Sequence, residues 1–370
     1  MNRKAFIMVL SIFSFLNLLK AQRSDSIPEI ATIGDNKKID RIAKRLIRKK
    51  KIPGLAISVV KNDTTIWQKG YGYANMEAKI PVDAKNTVFR IASVSKPLAA
   101  TALAKMVLQN KIALDTSIYK YLPDFPRKKF DFTIRQLGGH LAGIRSYKGN
   151  EFLNNKPLSI SQGVALFAKD PLLFQPGTQY LYNSYDWVLI SEAMQQVANI
   201  PFEEYVKKEV LLPLNMHQTY PDATNINIAN LARFYSRKRR RKFRKARKVN
   251  NFFKLAGGGY LSTSEDICKL GTAYLNNDFL THEISSEFLT AQKVNEKSTY
   301  YGIGWEVSFD DKNRPFVGHT GNGVGGYALF RIYPEQQMVF AFLTNMTNPE
   351  VNEEFSQIIN QFMDAEFPLE

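Results

Sequence analysis

Strand-like runs stand near both ends of the chain, with no sustained alternation between them, and this distribution narrows the possible folds more than any other feature. Leu55 to Lys61 and Thr64 to Tyr73 are β-rich and are separated by Asn62 and Asp63, which reads as a hairpin. Strand character returns at Tyr301 to Ser308, at Gly326 to Tyr333 and, after a Pro334 to Gln337 turn, at Met338 to Thr344. The stretch 122–216 carries helical and loop signals instead. The pattern predicts an α+β fold of α/β/α sandwich type, in which both chain ends build one antiparallel sheet flanked by helices, with a mainly helical lobe inserted. Three helices are legible. Ile39 to Lys51 is amphipathic and stops at Pro53 and Gly54; a helix from Val351 places Phe355, Ile358, Ile359 and Phe362 on one face. Pro97 to Gln109 is apolar or small on nearly every side over Leu98 to Leu103, which marks a buried helix.

A length of 370 residues with 44% hydrophobic content suits one large domain or two packed ones. Arg3 and Lys4, the apolar run Ala5 to Leu19 and the polar residues after it read as a signal peptide over residues 1–22, so the chain is expected to be exported, to the periplasm or beyond. Cys268 is the sole cysteine, which excludes an intrachain disulfide, and the four histidines have no ligand-like spacing, so neither metal nor cofactor is expected. The net charge of +16 is localised: Arg237 to Lys248 holds ten basic residues in twelve, and taking those ten away leaves +6 for the rest. The stretch 236–250 reads as a solvated basic loop, and with no nucleic-acid motif beside it no nucleic-acid partner is expected. Oligomeric state is not legible.

Chemistry must then come from side chains. A serine hydroxyl needs a base beside it, and a lysine three residues later on a helix stands one turn away. Ser58 with Lys61, Ser93 with Lys96 and Ser117 with Lys120 all have this spacing. Ser58 lies in a strand, where positions three apart face opposite sides, and Ser117 lies in a polar connection. Ser93 stands where an extended segment enters the buried helix; it reads as either a nucleophile or a helix N-cap. Gly321, Gly323 and Gly326 match the G-x-G-x-x-G spacing of a nucleotide loop, but a strand and not a helix follows. Those glycines are expected to let a substrate pass close to a strand edge. His140, in a glycine-rich bend, is expected to make a structural hydrogen bond.

Two further segments distinguish among these. Phe174 to Ser184 contains Pro176-Gly177-Thr178 and Tyr182-Asn183-Ser184, and a later stretch reads Gly318-His319-Thr320-Gly321-Asn322-Gly323. With Ser93-Val94-Ser95-Lys96 they resemble, in order and spacing, the three motifs of the serine β-lactamase and penicillin-binding superfamily, in its class C and D,D-peptidase branch. Phe89 to Ala92, Leu255 to Gly259 and Ser262-Thr263 also match, and Leu141 to Arg145 looks nearest to the mitochondrial serine β-lactamase-like subgroup. The resemblance implies a β-lactamase/transpeptidase-like hydrolase domain over residues 30–365, its sheet part near 38–121 and 255–365. It further implies Ser93 as nucleophile, Lys96 and Tyr182 as proton relay, and Ser93 and Asn322 N–H groups as oxyanion hole; Tyr180 and Tyr185 rival Tyr182 for the relay, and the distance from Pro176-Gly177-Thr178 favours Tyr182. His319, Thr320, Gly321, Ser184 and Asn322 would bind a small-molecule or peptide substrate through its scissile carbonyl. Ser184 replaces the usual asparagine and His319 the common lysine, so carboxylate anchoring by His319 should be weak and pH-sensitive, which favours a peptidase or esterase over an efficient β-lactamase. A penicillin-binding sensor with little turnover is the other reading.

Overall fold

The computed structural model describes residues 29–33, 36–223, 227–239 and 242–364. The expected signal peptide lies outside them. Strands β1 (Glu29–Ile33), β2 (Gly54–Lys61) and β3 (Thr64–Asn75) come from the first fifth of the chain. A two-residue strand, β4 (Phe89–Arg90), leads toward Ser93. Then follow β5 (Tyr235–Arg239), β6 (Lys242–Lys245) and β7 (Tyr260–Ser262). The late strands are β8 (Glu306–Phe309), β9 (Pro315–Gly323), β10 (Gly326–Tyr333) and β11 (Met338–Thr344).

The main sheet is antiparallel in the order β1-β3-β2-β11-β10-β9-β8, so the two ends of the chain meet in its middle, where Leu55 faces Thr344 and Lys61 faces Met338. Helices cover both faces. Along β11, Val339, Ala341 and Leu343 belong to one apolar core, while Met338, Phe340 and Phe342 belong to the other. This two-residue alternation is what a strand covered on both faces requires. The second core is closed by α1 (Lys37–Arg48) through Ile39, Ala43 and Leu46, and by the C-terminal helix Asn352–Met363 through Phe355, Ile358 and Phe362. The first is closed by α2 (Ser95–Leu108), whose residues from Ser95 to Ala104 are all buried, and by helices α3 (Tyr185–Ala198) and α5 (Ser264–Asn276), with the one-turn α4 (Leu255–Gly258) between them in sequence.

Two expectations are corrected. The late strand predicted from Tyr301 begins only at Glu306, because Gly304 adopts φ +83° against Trp187 and Ala100, and the chain there cannot continue extended. The basic stretch is not a plain loop. Tyr235–Arg239 and Lys242–Lys245 pair as a ribbon, anchored by the Arg237 guanidinium, which donates to the carbonyls of Lys50 and Lys51 at 2.9 and 2.8 Å. Among the described residues no helix is long and apolar enough to cross a membrane, and no cluster of His, Cys, Asp or Glu could hold a metal ion.

Phe340 lies in the central β11 with its ring edge-on to Tyr333, Phe342 and Phe362. Phe340→Ala is expected to destabilise the chain by about 3–5 kcal/mol, read as a lowered urea midpoint with an unchanged slope.

Candidate active site

The path from β4 into α2 is a tight turn. Ile91 and Ala92 precede Ser93 in a single 3-10 turn, Ala92–Val94, and Ala92 takes φ +46°, a left-handed conformation that costs a residue with a Cβ about 1–3 kcal/mol. Strands β9 and β10 hold the turn in place. A Cβ on Gly321 would come 2.1 Å from the Ile91 carbonyl oxygen, and one on Gly326 would come 2.4 Å from that of Arg90. Gly321 and Gly326 therefore make room for the turn that carries Ser93. Neither the 3-10 turn nor α2 has a side-chain N-cap, so the capping role open to Ser93 is not used.

Lys96, in the first turn of α2, is completely buried, and its ammonium donates to Ser93 Oγ at 3.3 Å, to Tyr182 Oη at 2.7 Å and to the Gly257 carbonyl at 2.6 Å. Burial pushes its pKa down to about 7, against the attraction of Asp186 and Glu306. The two short bonds hold Nζ, so the proton most easily given up is the one on the long contact, and its loss leaves a lone pair aimed at Ser93 Oγ. Tyr182 keeps 37% of its surface exposed through its ring while its hydroxyl faces Lys96 and Ser93. Burial of that hydroxyl raises its pKa, so the phenol rests protonated. Desolvation is the largest cause and the Glu306 charge adds to it, so Tyr182 stands beside Lys96 as a neutral phenol.

The other candidates separate by their partners. Ser58 Oγ bonds Ser264 Oγ, and Ser117 Oγ caps the Tyr119 backbone. The Tyr185 hydroxyl donates to Glu151, and Tyr180 makes no bond to Lys96, which leaves Tyr182 as the tyrosine at the lysine. His140 makes a structural bond, Nδ1 to Asp186 Oδ2 at 2.8 Å, with its ring 4.6 Å from that of Tyr182.

His319 is buried, and both of its ring nitrogens are occupied. Nδ1 lies 2.8 Å from the Thr320 carbonyl, which can only accept, so Nδ1 carries the proton; Nε2 then accepts from the Tyr301 hydroxyl at 2.8 Å. Burial pushes its pKa down to about 4, against attraction by Glu306. His319 is therefore a neutral ring that holds Tyr301 beside Tyr182. The carboxylate Glu306, at the end of β8, accepts from the Thr320 N–H at 3.0 Å. β8 reaches β9 only as far as the Glu306–Gly318 pair, so beyond it one edge of β9 is open. Alternate residues of a strand point their N–H groups to the same side. The Asn322 N–H thus faces the open edge that Thr320 faces, while the Asn322 side chain is tied to the Asn348 N–H at 3.0 Å.

Ser93 and Asn322 line two clefts. One, of about 490 Å³, is walled by Tyr180, Tyr182, Tyr300, Tyr301 and Glu306, with His319 and Thr320 at its floor. The other, of about 190 Å³, is bounded by Tyr147, Ser184, Asn251, Lys254 and Gly257. Tyr301, Glu306 and Lys254 were not singled out from the sequence. Tyr301 and Glu306 flank the Gly304 break, and only the fold turns them back onto the site; Lys254, two residues ahead of the Ala256-Gly257 bend, carried no motif signal.

A family model described as Beta-lactamase matches residues 39–359. The human mitochondrial serine beta-lactamase-like protein LACTB is 26% identical over 380 residues, covering 77% of this chain and 69% of that protein. Among solved structures, the octameric penicillin-binding protein homologue from Pyrococcus abyssi superposes with a TM-score of 0.76 at 23% identity, over 88% of this chain and 77% of its own. D-amino acid amidase from Ochrobactrum anthropi SV3 gives 0.78 at 18% identity, over 89% and 98%. With the match running from α1 to the C-terminal helix and spanning every motif at the site, the chain belongs to the Beta-lactamase family of serine hydrolases.

Proposed function

We propose that this chain is an exported hydrolase of amides or esters that works through an acyl-enzyme on Ser93. The observation that carries the reading is the buried Lys96 amine bonded at once to Ser93 Oγ and Tyr182 Oη. Ser93 Oγ attacks the carbonyl carbon as its proton passes to neutral Lys96, directly or through the Tyr182 hydroxyl. The oxyanion accepts from the Ser93 and Asn322 N–H groups. Collapse breaks the bond to the leaving nitrogen or oxygen, which takes a proton back from the Lys96–Tyr182 pair. Water then attacks the acyl ester, gives its proton to the same base, and frees the acid and Ser93. The apolar run behind Arg3 and Lys4 supports export.

Leaving-group chemistry separates the possible substrates. Tyr182 and Lys96 return the proton, and Tyr182 walls the larger cleft and not the smaller, so the leaving group lies in the larger one. That cleft offers a neutral His319 and a carboxylate, Glu306. A β-lactam, or a peptide ending in a free carboxylate next to the scissile bond, brings an anion to that side and meets no cation. Esters and amides with uncharged leaving groups fit better.

Ser93→Ala is expected to abolish labelling by an activated ester in mass spectrometry and to lower turnover at least about 10,000-fold; hydrolysis at the original rate by this variant would discard the mechanism, and a lasting adduct without turnover in the parent would favour a sensor. Because Lys96 must be unprotonated to act, kcat/KM should rise with pH through about 7, level off above it and fall below it. The same inflection should persist in His319→Gln; its disappearance there would move the titrating base from Lys96 to His319. Nitrocefin should be turned over at a kcat/KM about 1,000-fold or more below that of a neutral phenyl ester.

A further inference from the structure

The smaller cleft at Ser93 contains a cation with no counter-ion. Lys254 ends a 3-10 turn, Phe252–Lys254, and is 8% exposed. Its ammonium donates to the Phe152 carbonyl at 3.0 Å and stands 5.3 and 5.6 Å from the ring centroids of Tyr147 and Phe253. Among the described residues no carboxylate lies within ion-pair distance of it. Arg90, the other cation of the cleft, is saturated: Nε and Nη2 donate to Asp222 at 2.7 and 3.3 Å, and Nη1 donates to the Val324 carbonyl at 2.8 Å. Asp222 also accepts from Asn251 Nδ2 at 2.5 Å, so its charge is already shared.

An ammonium taken out of water without a counter-ion costs several kcal/mol. Burial and repulsion by Arg90 push the Lys254 pKa down to about 8 despite attraction by Asp222. A structural lysine would have its charge met by the fold, as Lys69 is met by Asp40. Lys254 instead has its charge unmet in the wall of a cleft that also holds the nucleophile.

The cleft's role in the reaction follows from the side on which the relay stands. With the leaving group on the Tyr182 side, the acyl half of the substrate lies beside Ser184, Tyr147 and Lys254. We propose that Lys254 is a specificity-determining residue of the acyl subsite, and that the preferred acyl group is small and carries a carboxylate at its far end, as a dicarboxylic half-ester or half-amide does. The two clefts then differ in sign: a carboxylate borders the leaving-group side, and an unmet ammonium borders the acyl side. This rests on the acyl-enzyme reading above.

The test compares p-nitrophenyl hemiglutarate with p-nitrophenyl valerate, which match in chain length and differ in the terminal charge. The parent enzyme is expected to favour the hemiglutarate, and Lys254→Met to lower the hemiglutarate-to-valerate ratio of kcat/KM at least about tenfold, chiefly through KM, with Lys254→Arg restoring part of it. A ratio unmoved in a Lys254→Met protein of parental circular dichroism would overturn the proposal while leaving the hydrolase reading intact. If Ser93→Ala still turns over both esters, the underlying reading fails instead. Should Lys254→Met not fold, inhibition of the parent decides the matter: glutaramate is expected to compete with the valerate ester at least about tenfold more tightly than butyramide does, and equal inhibition would overturn the proposal.

Discussion

The contact between strand β9 and the turn before Ser93 is the constraint on which the site depends. The Ile91 carbonyl lies so near the β9 backbone that no side chain fits at Gly321, and the same turn forces Ala92 into a left-handed conformation. Such a conformation persists only when surrounding structure over-determines it. Here the sheet on one side and the all-buried α2 on the other do so. One consequence is positional: the strand that grips the turn is also the strand whose free edge presents the Asn322 N–H, so the proposed nucleophile and oxyanion donor are set by one contact.

Burial then sets the chemistry. Lys96 is surrounded by the apolar packing of α2, and the loss of hydration brings an ordinary lysine into the range where it can exchange a proton near neutrality. The same desolvation acts on Tyr182 and His319 in the direction that keeps each uncharged. Tyr182 and His319 are thus neutral at the centre of the site, while Glu306 and Lys254 stand at its two margins. On the proposed mechanism, discrimination between substrates falls to those margins.

Much of this was legible in the sequence. The sheet and its assembly from both chain ends were legible because β2, β10 and β11 are short, almost wholly apolar runs bounded by turn residues. Ser93, Lys96 and Tyr182 could be chosen over their rivals because motif order and the Pro176-Gly177-Thr178 turn fix which tyrosine returns to the lysine. What could not be read depended on contacts remote in the chain. The protonation of His319 is dictated by Tyr301 and a carbonyl, and the purpose of Gly321 by a turn more than two hundred residues earlier. The basic ribbon escaped notice because its strands are almost wholly charged and polar, without the alternating apolar face by which a strand is recognised.

The pairing of β2 with β11 sets an order of events for a nascent chain. A strand complete at residue 61 waits for a partner that ends at residue 344, and the turn carrying Ser93 waits for β9 and its glycines. Loop closure across such separations comes late and slowly. Until it occurs Ala92 has nothing to hold it in its left-handed state and Lys96 stays hydrated, with the pKa of a solvated lysine. The geometry around Ser93 and the burial of Lys96, on which the proposed chemistry rests, are thus completed together in the final closure of the sheet.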